Sequence, residues 1–99
     1  MDDFNKIISE SKPTLVDFYA TWCGPCKMQI PIIEQLKERV GDSANILKVD
    51  IDRNSALAED YHIQSVPTLM IFRSGRQVWR GVGVHQLDDL ERKIKAFVQ

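Results

Sequence analysis

The sequence predicts an α/β fold, a central mixed β-sheet of four strands with helices on both faces. Three observations predict it. Helix and strand patterns alternate as α-β-α-β-α-β-β-α along 99 residues. The strand candidates are short, mostly apolar runs, as in strands covered on both faces. The last two are separated by Ser74-Gly75, a turn signal that makes them an antiparallel hairpin. The two β-α-β passages imply parallel strands with right-handed crossovers, and the hairpin adds an antiparallel strand.

Each element has its own signal. Residues 2–10 begin with Asp2 and carry Phe4, Ile7 and Ile8 at helical spacing, and Pro13 stops the helix. Residues 14–20, TLVDFYA, are the first strand. Trp22 to Lys27 is a turn feeding a helix with an apolar face of Ile30, Ile33, Leu36 and Val40. Gly41 closes this helix and Pro31 is expected to kink it. Residues 46–51, ILKVDI, are the second strand. Asn54 or Ser55 caps a short helix with Leu57 and Tyr61 on one face. Residues 68–72, TLMIF, and 77–82 are the third and fourth strands. Leu87, Leu90, Ile94, Phe97 and Val98 define a last amphipathic helix, with Asp88 and Asp89 in its first turn.

The length is that of one domain, residues 1–99. Hydrophobic residues are 43% and charged residues 27%, which excludes a disordered tail, a collagen and a disulfide-packed toxin. The net charge of −1 gives no basic surface for nucleic acid. No apolar run approaches the ~20 residues that span a bilayer, so no membrane association is expected. The start, Met1-Asp2-Asp3-Phe4-Asn5-Lys6, lacks the basic and then apolar pattern of a signal peptide. An intracellular, cytoplasmic protein is expected.

The two cysteines, Cys23 and Cys26, are the most informative residues. A bridge closing so short a loop constrains the unfolded chain little, so a purely structural disulfide has little to contribute. The remaining readings are a redox pair or half of a zinc site. A closed zinc site needs four ligands, and only His62 and His85 are available beyond the cysteines, at no zinc-finger spacing. Trp22-Cys23-Gly24-Pro25-Cys26-Lys27 lies between a strand end and a helix start. Cys23 therefore falls at a helix N-terminus, where unpaired N–H groups favour a thiolate, the nucleophilic form. Gly24 and Pro25 suit that turn.

Other residues stand out but admit two readings. Asp17, within LVDFY, is either a buried carboxylate with a raised pKa or a strand acid reaching solvent. Lys48, taken alone, would be an exposed edge lysine. Pro67 can simply start a strand. Ile63 and Val82 can be ordinary packing residues.

The sequence resembles the thioredoxin family from Phe4 to the C-terminus with almost no gaps. The resemblance rests on LVDFYATWCGPCK at 15–27, Pro31, Lys48, VPT at 66–68, Gly75 and VG at 82–83. It implies the thioredoxin fold and a protein-disulfide reductase that works by dithiol–disulfide exchange. Cys23 would attack a substrate disulfide, and Cys26, deeper and less exposed, would resolve the mixed disulfide. Asp17 would accept the proton from Cys26, with Lys48 modulating it. The Val66–Pro67 bond would be cis and face the cysteines. Trp22, Gly24, Pro25, Ile63, Val66, Pro67, Val82 and Gly83 would form the substrate groove. Pro25 matches reductant members of the family, since oxidants and isomerases carry His there. No metal and no cofactor beyond the reversible disulfide are implied. The implied partners are disulfide-containing proteins and a thioredoxin reductase.

The sequence also departs from the family. Tyr19 stands where many members have a second tryptophan, and Ser65 replaces a frequent glycine. Trp79, His62 and His85 are expected outside the site, with the histidines facing solvent. The usual first strand has no counterpart before Asp2. The expected strand order is therefore 45–51, 14–20, 68–73, 76–82, with ILKVDI at a sheet edge that is solvated on a monomer, the expected outcome, or else covered by residues 1–5 or paired edge to edge in a dimer. Beside the general reductase stand two alternatives: a dedicated reductant of one partner pathway, or a binding subunit in which the groove holds a partner and redox is incidental.

Overall fold

The structure, a computed structural model, describes residues 2–98, with Asp2 in its backbone only. Met1, which opens the acidic N-terminal stretch, lies outside the described residues. The elements in chain order are α1 (Asp2–Ile8), β1 (Thr14–Tyr19), α2 (Gly24–Val40), a 3₁₀ turn (Gly41–Ser43), β2 (Asn45–Asp50), α3 (Ser55–Asp60), β3 (Thr68–Arg73), β4 (Arg76–Val82) and α4 (Leu87–Lys95). No helix among the described residues is long and apolar enough to cross a membrane.

The four strands form one sheet in the order β2-β1-β3-β4. β1 and β2 are parallel, and β3 is antiparallel to both β1 and β4. Successive strand residues point to opposite faces, so β1, β2 and β3 each feed two cores. Leu15, Leu69 and Ile71 pack under α2 and α4 with Ile33, Leu36, Leu90 and Ile94. Val16, Phe18, Met70 and Phe72 pack on the other face against Phe4 and Ile8 of α1, with Leu57 and Tyr61 beside them. Arg39 ties α2 to α4 through Asp88 at 3.2 Å and Glu91 at 2.9 Å.

The element ends differ from expectation by one to three residues. α1 stops at Ile8 rather than residue 10. α4 stops at Lys95, and Phe97 and Val98 follow it. Their N–H groups reach back to Ile94 and Lys95, an i→i−3 pattern that tightens the final turn while Phe97 still packs on the core. α2 continues through Pro31, which costs it one hydrogen bond without ending it. The expected face of α2 also needs correction. Its buried residues are Cys26, Gln29, Ile33, Leu36 and Val40, while Ile30 is exposed. Stepping back from Ile33, a spacing of four reaches Gln29 and a spacing of three reaches Ile30, and the helix buries the glutamine.

β2 is an edge strand. Asn45 and Ile51 donate N–H groups to Pro13 and Tyr19 on the β1 side. By alternation, the N–H groups of Ile46, Lys48 and Asp50 point outward. Among the described residues no strand pairs with that side.

Candidate active site

β1 ends at Tyr19, and the chain turns through Ala20–Trp22 into α2. Cys23 is the N-cap of α2, with extended backbone at φ −95° and ψ 116°. Its Sγ accepts the N–H of Cys26 at 3.1 Å, as a serine or aspartate oxygen does at other helix starts. Pro25 occupies the first turn, where its missing N–H costs nothing. Cys23 and Cys26 are joined by a disulfide, with Cα atoms 5.3 Å apart.

Across from this turn, the Val66–Pro67 peptide bond is cis. The Val66 carbonyl oxygen lies 3.5 Å from Cys23 Sγ. Between the two segments runs a groove of about 400 Å³. Of the expected residues, Trp22, Cys23, Gly24, Pro25, Ile63 and Val66 line it. Ile51, Gln64 and Ser65 line it as well, and no sequence signal pointed to them.

Pro67, Val82 and Gly83 are not among the lining residues. Pro67 is buried, Val82 is exposed opposite Thr68, and Gly83 donates its N–H to the Pro67 carbonyl at 2.8 Å. Pro67 follows the groove residue Val66 in the chain, and Gly83 connects to it through that hydrogen bond. Trp22 is 68% exposed and donates Nε1–H to Asp52 at 2.9 Å, which holds the indole beside the cysteines. Asp52 lies thirty residues away in sequence and was not expected in the site.

The cysteines differ in residue exposure in the expected direction, but only slightly. Cys23 is 5% exposed and Cys26 3%. They differ in direction: Cys23 lines the groove, and Cys26 lines a separate apolar pocket with Tyr19, Lys27 and Ile30.

Asp17 lies on the sheet face under α2, between Leu15 in the α2–α4 core and Tyr19, which packs against the cysteines. It is buried, and among the described residues neither carboxylate oxygen has a hydrogen-bond partner. Burial pushes its pKa up from 3.8 to about 6, against a smaller lowering by the Lys48 charge. Lys48 is exposed, in register with Asp17, and its Nζ lies 5.1 Å from the Tyr19 ring centre. The acid of LVDFY is therefore the buried one of its two readings.

His62 faces solvent as expected. His85 does not. It is half-buried, its ring edge packs on Trp79, and its Nδ1 lies 2.8 Å from the Gly83 carbonyl. Among the described residues no group of three His, Cys, Asp or Glu side chains could hold a metal ion.

A family model described as thioredoxin matches residues 1–96. The chain belongs to the thioredoxin family. It is 47% identical over 90 residues to the thioredoxin of Mycolicibacterium smegmatis, covering 89% of this chain and 80% of that one. It is 41% identical over 95 residues to the bifunctional thioredoxin reductase/thioredoxin of Mycobacterium leprae, covering 96% of this chain and 21% of that one. A mutant thioredoxin from Halobacterium salinarum has a similar structure, with TM-score 0.90, 38% identity, and coverage of 100% of this chain and 86% of that one. As a thioredoxin-family protein with a Cys23–Cys26 disulfide, the chain is a thiol–disulfide oxidoreductase.

Proposed function

We propose that the protein is a general protein-disulfide reductase in which Cys23 is the attacking thiol. The observation that carries this reading is the placement of Cys23 Sγ. It sits at the N-terminus of α2 and in the groove, 3.5 Å from the Val66 carbonyl. The helix end favours negative charge on this sulfur once the pair is reduced.

The Cys23 thiolate attacks one sulfur of a substrate disulfide, forms a Cys23–substrate bond and releases the other substrate sulfur as a thiolate. Cys26 then gives up its proton to Asp17 and attacks Cys23 Sγ. The Cys23–Cys26 disulfide forms, the second substrate sulfur leaves, and two electrons have passed to the substrate. With a pKa of about 6, Asp17 is poised to take and return a proton near neutral pH. Lys48 holds that value down. The substrate chain lies along Trp22, Gly24, Pro25, Ile63 and Val66, and its backbone pairs beside Pro67, Val82 and Gly83.

A thioredoxin reductase restores the dithiol. The reductase–thioredoxin fusion of M. leprae supports that choice of donor. The protein acts as a monomer of one domain in the cytoplasm, carrying electrons for redox homeostasis, with no nucleic acid or membrane partner.

The test is insulin reduction with dithiothreitol. Cys23→Ser is expected to abolish it, and Cys26→Ser to accumulate mixed disulfides that can be isolated and identified. Many trapped partners mark a general reductase, and a single one marks a dedicated reductant. Iodoacetamide is expected to label reduced Cys23 much faster than Cys26, and equal rates would overturn the assignment of roles.

A further inference from the structure

Gln29 is the one polar residue on the buried face of α2, with no exposed surface. Burying an amide is unfavourable unless it is bonded. Its neighbours on that face are Cys26, Ile33, Leu36 and Val40, so packing alone would be met by an apolar side chain. Both ends of the amide instead bond the backbone of a single residue, His85. Nε2 donates to the His85 carbonyl at 2.9 Å, and Oε1 accepts the His85 N–H at 2.8 Å. His85 lies in the segment between β4 and α4, outside any strand ladder, where its backbone groups need such partners.

The His85 ring carries the connection onward. Its Nδ1 lies 2.8 Å from the Gly83 carbonyl, and because a carbonyl only accepts, Nδ1 bears the proton and donates. Gly83 N–H in turn donates to the Pro67 carbonyl at 2.8 Å. Val66, next in the chain, holds its carbonyl 3.5 Å from Cys23 Sγ. A closed ring of contacts thus runs from α2 through Gln29, His85, Gly83 and Pro67 back to Cys23. It joins the helix bearing the cysteines to the backbone on the far side of the groove.

We propose that Gln29, together with His85, is a positioning residue that fixes the Val82–Gly83 backbone beside Pro67 and so sets the affinity for protein disulfides. The polar groups of both residues bond backbone, not the reacting sulfurs. This rests on the reading above that substrate backbone pairs beside Pro67, Val82 and Gly83. Losing the bracket therefore weakens substrates that lie along the groove and spares small disulfides that meet only Cys23.

The experiment compares insulin reduction at varied insulin concentration with reduction of 5,5′-dithiobis(2-nitrobenzoate) by the pre-reduced protein. Gln29→Met is expected to raise KM for insulin about fivefold, the worth of a net hydrogen bond, with kcat and the rate on the small disulfide unchanged. His85→Ala is expected to raise KM in the same way. His85→Asn, whose side-chain amide can donate to Gly83, is expected to restore it. This pair decides the question even if Gln29→Met fails to fold. Ile63→Ser, in the groove wall, tests the underlying reading separately. If Ile63→Ser raises KM while the Gln29 and His85 variants only lower Tm, the bracket has no role in binding and the groove reading stands. If none of them raises KM, the groove reading falls and the inference with it. Equal losses on insulin and the small disulfide would also overturn it.

Discussion

Asp17 and Lys48 stand opposite one another in the register of β1 and β2, yet no hydrogen bond from the described residues reaches the Asp17 carboxylate. Lys48 is exposed and lies by the Tyr19 ring, so it offers the acid charge without contact. Burial therefore outweighs attraction, and Asp17 titrates at about 6.

Asp17→Asn is expected to stabilise the protein in a pH-dependent way. The folded chain holds the Asp17 proton more tightly than the unfolded chain, so the cost of burying the charge is absent below the ordinary value of 3.8. It grows as pH rises through the interval up to about 6 and is complete above that. At pH 7 the substitution is expected to gain up to about 3 kcal/mol, and near pH 3 almost nothing. Urea unfolding from pH 3 to 8 measures this. A variant that is less stable at pH 7 would show that the carboxylate has a partner in solution. The same variant is expected to slow the resolving step in stopped-flow measurements, because Cys26 loses its proton acceptor.

Lys48→Gln removes a charge that lowers the Asp17 pKa. The Asp17 midpoint is expected to move above about 6, and the pH dependence of insulin reduction with it. Carboxyl-carbon NMR titration reads the midpoint directly. An unmoved midpoint would mean that solvent screens Lys48 completely.

Gly81→Ala tests the packing behind the β4–α4 segment. A Cβ at this position would lie 2.5 Å from Trp79 Cζ2 and 2.7 Å from His85 Nε2, so both rings must move. The cost is expected to be about 1–3 kcal/mol, as for other overpacked sites. Urea unfolding measures it, and a change in Trp79 fluorescence would confirm that the indole shifts.

The outer edge of β2 is expected to be solvated. In hydrogen exchange, the amides of Ile46 and Lys48 should exchange far faster than those of Leu15–Tyr19, which are flanked by strands on both sides. Light scattering should give the mass of one chain across a concentration series, because Lys48 on the edge discourages pairing. Slow exchange at Ile46 together with a doubled mass would mean edge-to-edge dimers.

The sheet was legible because its strands are sharp apolar runs bounded by turn residues, and a hairpin signal sits at Ser74-Gly75. Element ends were less so, since the Phe97–Val98 turn keeps its apolar spacing after α4 has ended. The groove was legible where the family motif is dense, at Trp22–Pro25 and Val66. Asp52 was not, because nothing in a strand-end acid tells that an indole thirty residues earlier will turn toward it. Gln29 and His85 were missed for a related reason. Each polar type suggests solvent, yet the Gln29 amide is satisfied by the His85 backbone, 56 residues away. Periodicity reports which face a residue occupies, but not which distant backbone will complete its hydrogen bonds.

The end of α1 has a consequence for the order of assembly. The carbonyls of Ile8 and Glu10 accept the N–H groups of Gly75 and Ser74 at 2.8 Å, and Arg73 Nε reaches the Ser11 carbonyl at 2.8 Å. A helix of seven residues cannot hold itself together in water. During translation α1 therefore leaves the ribosome long before the hairpin that ties down its end. It waits as an unstructured, amphipathic segment until the β3–β4 turn has been made.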